Sequence, residues 1–393
     1  MGARFLTETG RLSLTSATAH VRYDAEAATP RARKILALLT DAYGGHGGIA
    51  SFNRDMMDAI CSSADVREVV VLSRIAPDAL GAVPDKVSLR LDGLGGKLSY
   101  VRSVLRQLAS GAGADAVLCG HINLLPVAAL ASMWLRVPMI LVIHGTDAWT
   151  AHRSWLTRRL AARVDHVVAV STLTRDRFLS WTDREPPVSI LPNVIRLQDF
   201  GAAPPPAYVL DRYGLRDKTV LLTLGRLGAD ERCKGFDEVI TALPQLSVER
   251  PDVAYLIVGD GSDRARLEEL ARSHSVADRV IFAGRIPEGE KADHYRLAHA
   301  YVMPSRGEGF GRVYHEALAC GIPVVASKTD GGREAVLDGQ LGVLVDPADP
   351  ADVLRGIRSA LAHGRQGVPP KLSYFAVEEN AARWQSLLDT VLG

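Results

Sequence analysis

One stretch constrains this chain more than any other. Tyr301-Val302-Met303 is a short apolar run, a glycine-rich turn carrying Glu308, Gly309, Phe310 and Gly311 follows it, and Pro323–Ser327 is a second apolar run. Gly321 suits the residue after a helix and Pro323 cannot continue one, so the spacing predicts strand, loop, short helix from about Gly311, strand. That order puts the turn at the carboxyl end of a parallel strand, where open α/β sheets bind ligands. Gly309 and Gly311 let a backbone come close to a ligand, and the first helical turn offers free N–H groups at a positive dipole end that attracts phosphate. Glu308 and Glu316 have seven residues between them. Carboxylates beside an anion site are unfavourable unless they take hydroxyl groups. Phosphates on the amides and hydroxyls on the carboxylates describe a sugar nucleotide.

Similar units recur on both sides of this stretch. Apolar runs at Lys34–Asp41, Val66–Ser73, Asp115–Gly120, Pro138–Ile143, His166–Ser171 and Val188–Leu191 alternate with helical or loop segments. Thr219–Leu224, Tyr255–Val258, Val280–Ala283 and Gly342–Val345 continue the pattern. Such alternation argues an α/β fold with doubly wound parallel sheets, and 393 residues suffice for two domains. The expected division is 1–33 as an extension without periodicity, 34–200 as a first domain, 201–207 as a Pro-rich linker, 208–375 as a second domain, and 376–393 as a terminal helix.

Net charge is +1, which gives no global signal for nucleic acid. The halves differ: residues 1–200 carry 23 Lys and Arg against 18 Asp and Glu, and residues 201–393 carry 23 against 27. A basic first half favours an acidic acceptor or an anionic membrane surface as much as it reflects ordinary surface variation. The four cysteines form no Cys-x-x-Cys pair, so neither a disulfide framework nor a zinc site is expected and a reducing compartment fits. No secretory leader is read in residues 1–33, and the apolar region Ile122–Ile143 is broken by Asn123, Pro126, Arg136 and Pro138. In His152–Val164, Trp155, Leu156, Leu160 and Val164 recur near helical spacing among Arg153, Arg158, Arg159 and Arg163. That helix suits either an anionic membrane or, the reading preferred here, an ordinary position with its apolar face on the domain core.

Candidate chemistry lies on the loops. His144 directly follows the Pro138–Ile143 run, a position that faces a cleft. Gly225-Arg226-Leu227 follows Thr219–Leu224, with Lys234-Gly235-Phe236 shortly after. Near the start, Gly45, Gly47 and Ala50 match a dinucleotide fingerprint, but Ser73 and Arg74 stand where an acidic residue is expected. Arg74 suits a 2′-phosphate, so an NADP-dependent oxidoreductase is the rival reading; it leaves the phosphate equipment of the second half unexplained. No Asp-x-Asp triplet and no Gly-x-x-x-x-Gly-Lys-Ser/Thr loop occurs, so neither a metal nor a P-loop is expected.

Glu308-Gly-Phe-Gly, Glu316-Ala, Ala319-Cys-Gly-Ile-Pro-Val-Val-Ala-Ser and Gly331-Gly-Arg-Glu334 together resemble the donor-site signature of retaining family-four glycosyltransferases. The resemblance runs from about Lys34 to the C-terminus. Val194 departs from it, since the family usually has Gly after the Pro192-Asn193 pair. It implies the GT-B architecture, two Rossmann-like domains facing across a cleft, with the terminal helix crossing back to the first. It implies a nucleotide-sugar donor, a saccharide or lipid-linked acceptor and no separate cofactor. By the same resemblance, Glu308 holds hydroxyls of the transferred sugar and Glu316 those of the ribose. Arg226, Lys234 and amides near Gly311 hold the pyrophosphate. Gly47 and Gly48 face the donor phosphates, the segment at Gly284, Arg285 and Ile286 lines the base, Gly259 and Phe310 border the donor, and His144 contacts a sugar hydroxyl. The expected setting is cytoplasmic, with peripheral attachment to the inner face of the membrane as an option. A catalytically silent sugar-nucleotide binder is the third reading.

Overall fold

Strand formation follows the apolar runs. In the computed structural model, which describes residues 32–45, 47–229 and 232–393, the first domain contains β1 (Arg33–Leu39), α1 (Gly48–Ser62), β2 (Val66–Ser73), β3 (Val87–Arg90), α2 (Lys97–Ala109) and β4 (Ala116–Cys119). It continues with α3 (Leu125–Leu135), β5 (Met139–Ile143), α4 (Trp155–Ala161), β6 (His166–Ala169), α5 (Thr172–Leu179) and β7 (Val188–Ile190). The second holds α6 (Ala207–Tyr213), β8 (Thr219–Leu224), α7 (Phe236–Glu249), β9 (Val253–Val258), α8 (Arg264–Ser273), β10 (Val280–Gly284), α9 (Lys291–Leu297) and β11 (Ala300–Met303). It ends with α10 (Arg312–Ala319), β12 (Val324–Ser327), α11 (Gly332–Ala335), β13 (Val343–Val345), α12 (Pro350–His363) and α13 (Val377–Leu392).

The strands make two parallel sheets, ordered β3-β2-β1-β4-β5-β6-β7 and β10-β9-β8-β11-β12-β13. Helices cover both faces, so β4, β5, β9 and β11 are buried along their whole length, as parallel strands must be. Strand order reverses between β1 and β4 and again between β8 and β11. The loops leaving those neighbouring strands diverge and open a crevice. The loops after β8 and β11 are the ones that carry Arg226, Lys234 and Glu308.

Two details depart from the sequence expectations. The extension was read as 1–33, yet Arg33 already belongs to β1 and pairs with Asp389 of α13 at 2.7 Å; residues 1–31 of the extension lie outside the described residues. The four-residue edge strand β3 is only half-buried and so lacks the apolar run that announced its neighbours. α13 packs along α1, with Trp384 fully buried. Among the described residues no helix is long and apolar enough to cross a membrane.

Candidate functional site

The turn after β11 is built by backbone hydrogen bonds to one buried acid. Asp330 accepts the Glu308 N–H at 2.9 Å and the Gly332 N–H at 3.0 Å. The Gly331 N–H donates to the Glu308 carbonyl at 2.8 Å. The loops leaving β11 and β12 are thus stitched together. Burial, reinforced by the Glu308 charge, outweighs these donors and pushes the Asp330 carboxyl up to about 6. Gly311 has φ +98, and a Cβ there would meet the Tyr314 ring at 2.4 Å, so only glycine fits the entry to α10. The residue before α10 is Gly311, which has no side chain to cap the helix, so the first-turn amides must find partners elsewhere.

Two carboxylates flank that turn in different surroundings. Lys234, from the loop after β8, donates to Glu308 Oε2 at 2.5 Å. Both side chains keep partial exposure. Glu316, on the second turn of α10, is buried. Its Oε1 takes the Lys291 ammonium at 3.0 Å, its Oε2 accepts the Tyr295 hydroxyl at 2.7 Å, and the Arg312 guanidinium stands 3.6 Å away. Burial works against the Lys291 ammonium, but Glu316 and Glu288 overcome it and raise its pKa.

The first domain meets this turn at close range. The His144 imidazole donates from Nε2 to the Gly120 carbonyl at 2.9 Å, and the Phe52 ring meets it edge-on at 5.1 Å. Burial pulls its pKa down to about 4, so it is neutral and its Nδ1 carries a lone pair. A Cβ on Gly309 would lie 2.2 Å from the His144 carbonyl oxygen, and one on Gly145 would lie 2.7 Å from Gly309 Cα. Glycine at 309 therefore serves the approach of the two domains. Ser171 donates to the Gly309 carbonyl at 2.9 Å. Glu334 accepts the Thr172 and Leu173 N–H groups at 2.7 and 2.9 Å, so a carboxylate of the second domain sits on the N-terminus of α5 in the first. Arg312 pairs with the buried Asp55 of α1 at 2.6 Å, and Arg196 approaches the same carboxylate at 3.1 Å.

The other candidates fall into place less directly. Arg226 is exposed on the carboxyl edge, beside the β9 exit. The Phe310 ring is turned into the core against His315 and Phe375, at 5.3 and 5.6 Å; its aromatic character drives it there, so only its backbone borders the cleft. At Gly259 a Cβ would meet the Gly225 carbonyl at 1.9 Å, so packing of neighbouring strand exits accounts for that glycine without a ligand. Gly47 and Gly48 face open space. Arg285 is exposed, while Ile286 is half-buried against the core. Sequence reasoning missed Asp330, Lys291, Tyr295 and the role of Glu334. Of these, Asp330 and Glu334 lie beside the Gly331-Gly332 pair, which is the local signal for them. Two surface cavities of about 430 and 450 Å³ lie along α13, and their linings share no residue with this turn.

Comparisons with known proteins agree with this layout. Residues 47–199 match the family model described as Glycosyltransferase Family 4, and residues 212–374 the one described as Glycosyl transferases group 1. A GDP-mannose-dependent alpha-(1-6)-phosphatidylinositol monomannoside mannosyltransferase of Mycolicibacterium smegmatis is 37% identical over 217 residues, 53% of this chain and 56% of that protein. A glycogen synthase of Mycobacterium tuberculosis is 32% identical over 294 residues, 72% of this chain and 66% of that one. The chain spans about half the length of the mannosyltransferases it matches. Among solved structures, Anabaena HepE in complex with UDP and glucose superposes with a TM-score of 0.72 at 23% identity, covering 91% of this chain and 100% of that one. WaaG, a glycosyltransferase involved in lipopolysaccharide biosynthesis, gives 0.63 at 18%, covering 91% and 100%. These two likenesses speak to the fold alone.

Proposed function

Because this chain belongs to the family-four glycosyltransferases, we propose that it moves a hexosyl group from a nucleoside-diphosphate sugar, UDP- or GDP-linked, to a saccharide or lipid-linked saccharide acceptor, with retention at the transferred carbon. The observation that carries this reading is the Lys234–Glu308 pair at 2.5 Å, made by loops from neighbouring strands at the order reversal of the second sheet. An incoming diphosphate competes for the Lys234 ammonium and releases Glu308 for the sugar hydroxyls. Arg226, Lys234 and the first-turn amides of α10 hold the pyrophosphate. These groups stabilise the charge that gathers on the leaving phosphate more than they stabilise the ground state. Glu316, held by Lys291 and Tyr295, presents its remaining lone pairs to the ribose. His144 is neutral, so it orients a sugar hydroxyl rather than carrying charge. A donor phosphate oxygen takes the acceptor proton on the face from which the nucleotide leaves. Contact of the two domains at Gly145 and Gly309 excludes water from the bound donor.

GDP-mannose leads the donors, since it is named in the similar mannosyltransferases, and a glycolipid leads the acceptors, with surface glycolipid or polysaccharide synthesis as the setting. The enzyme works in the cytoplasm, at the inner face of the membrane. Family membership accounts for the Gly45–Ala50 turn without a nicotinamide. The test is a panel of UDP- and GDP-sugars screened by thermal shift, then incubated with mannosylated phosphoinositide, the product's anomeric configuration being read by NMR. The expected result is one stabilising donor class and a product with the donor's configuration. Donor binding without turnover on any acceptor would leave a silent binder, and an inverted product would overturn the retaining assignment.

A further inference from the structure

The outer face of the first domain carries apolar side chains that its core does not need. α4 was expected to turn its apolar residues inward, but only Val164, just beyond it, is fully buried among the four residues named; Leu160 is half-buried, Trp155 is 65% exposed and Leu156 is exposed as well. On α3, which packs against α4, Leu130 is exposed, with Met133 67% and Trp134 61% exposed. α2, packed on the other flank of α3, adds Leu98 at 76%. Singly such residues are ordinary; here they stand on three adjacent helices of one face, at the starts of α2 and α4 and at the end of α3, a spread of exposed apolar groups that marks an interaction surface.

Charge selects the occupant. From Asp92 to Asp165 the chain has eight Lys and Arg and four acids, Asp92, Asp115, Asp147 and Asp165, none of them on α2, α3 or α4, although Asp92 pairs with Arg106 of α2 at 3.4 Å. The cations interleave with the apolar groups: Arg102 on α2, Arg136 just after α3, Arg153 before α4, and Arg158 and Arg159 on it, all exposed. This run is the source of the basic bias of the first half. We infer that the α2–α3–α4 face is a docking surface for an anionic phospholipid bilayer, with Trp134, Trp155 and their apolar neighbours seated at the acyl boundary and the arginines on lipid phosphates. All three helices begin at the carboxyl edge of the first sheet, the edge that bears His144. His152 bonds Asn123 at 2.9 Å and ties the starts of α3 and α4 together. A membrane held on this face presents lipid headgroups beside the cleft mouth. The link to a lipid-borne acceptor rests on the proposed function; binding to the bilayer does not.

The test is co-sedimentation of the full chain with vesicles of phosphatidylcholine, with and without phosphatidylglycerol, for wild type, Trp134→Ser/Trp155→Ser and Arg158→Gln/Arg159→Gln. Nucleotide binding serves as the folding control. Wild type should bind the anionic vesicles only, and less so at raised salt. Each double variant should bind on the order of tenfold more weakly while binding nucleotide as before. No wild-type binding, or unaltered binding by both variants, overturns the docking surface. So does a wild-type dimer, seen by sedimentation, that the Trp variant converts to monomer without any change toward vesicles. Vesicle binding with no transfer activity would leave this surface standing and count against the proposed reaction alone.

Discussion

Lys234 and Glu308 constrain each other, and each should fail in its own way. Lys234→Ala removes a cation from the proposed leaving-group site, and transfer should fall on the order of a hundredfold to a thousandfold. It also leaves the Glu308 carboxylate without its ammonium, at a stability cost of about 1–3 kcal/mol. Glu308→Gln keeps the shape of the turn and should lose transfer with little change in unfolding midpoint. Full activity in either variant would refute the roles given to them. The glycines make a matched pair of tests. Gly309→Ala drives a methyl into the His144 carbonyl and should lower both the unfolding midpoint and turnover. Gly48→Ala has room in this structure, so its midpoint should hold while donor KM rises. Equal behaviour of the two would show that backbone approach at Gly309 is unimportant.

Among elements, α5 and α11 bear the clearest consequence. Glu334 of α11 supplies two of the N-terminal hydrogen bonds of α5 across the domain boundary. Glu334→Ala should therefore cost about 1–2 kcal/mol and speed amide exchange at Thr172 and Leu173; unchanged exchange there would contradict the cap. This contact shows where the sequence stopped being readable. The strands of both sheets, the half-buried edge strand β3 apart, were legible because each buried parallel strand needs its own apolar run, and the turn at Glu308–Gly311 was legible because its glycines and acids have few other uses. α12 begins with Asp349 and Pro350, an N-cap and a first-turn residue, so its start could have been read and was not. Long-range partners are different. Nothing local in Ser171-Thr172 announces Glu334, and Lys291 gains its meaning only when α9 is laid beside α10. Trp155 and Leu156 misled for a related reason: helical spacing says which residues share a face, not what that face meets.

For the whole molecule, titration of buried groups predicts how stability depends on pH. His144 and His315 are held near pKa 4 by burial, against 6.5 when unfolded. Between these values the unfolded chain binds more protons, so stability falls as pH drops from 6.5 towards 4, by up to about 1.4 kcal/mol per pH unit for each histidine. Asp330 acts in the opposite sense, because its carboxyl sits near 6 in the fold against 3.8 unfolded. Here the folded state holds the extra proton, and stability rises as pH falls from about 6 towards 4. Two histidines outweigh one carboxyl. The unfolding midpoint should decline through this window, less steeply in His315→Gln; a midpoint rising on acidification would contradict the assignment.

The contacts through Gly309, Glu334 and Arg312 join the two sheets at their carboxyl edges, and the proposed donor site depends on that meeting. Its most direct test is calorimetric titration of nucleoside mono- and diphosphates, uridine and guanosine, into wild type and Lys234→Ala. Wild type should prefer the diphosphate of one base over its monophosphate. The lysine variant, folded by circular dichroism, should lose most of that preference and keep its affinity for the monophosphate. Equal diphosphate affinity in the two proteins would mean that Lys234 and the Glu308 turn do not hold the donor.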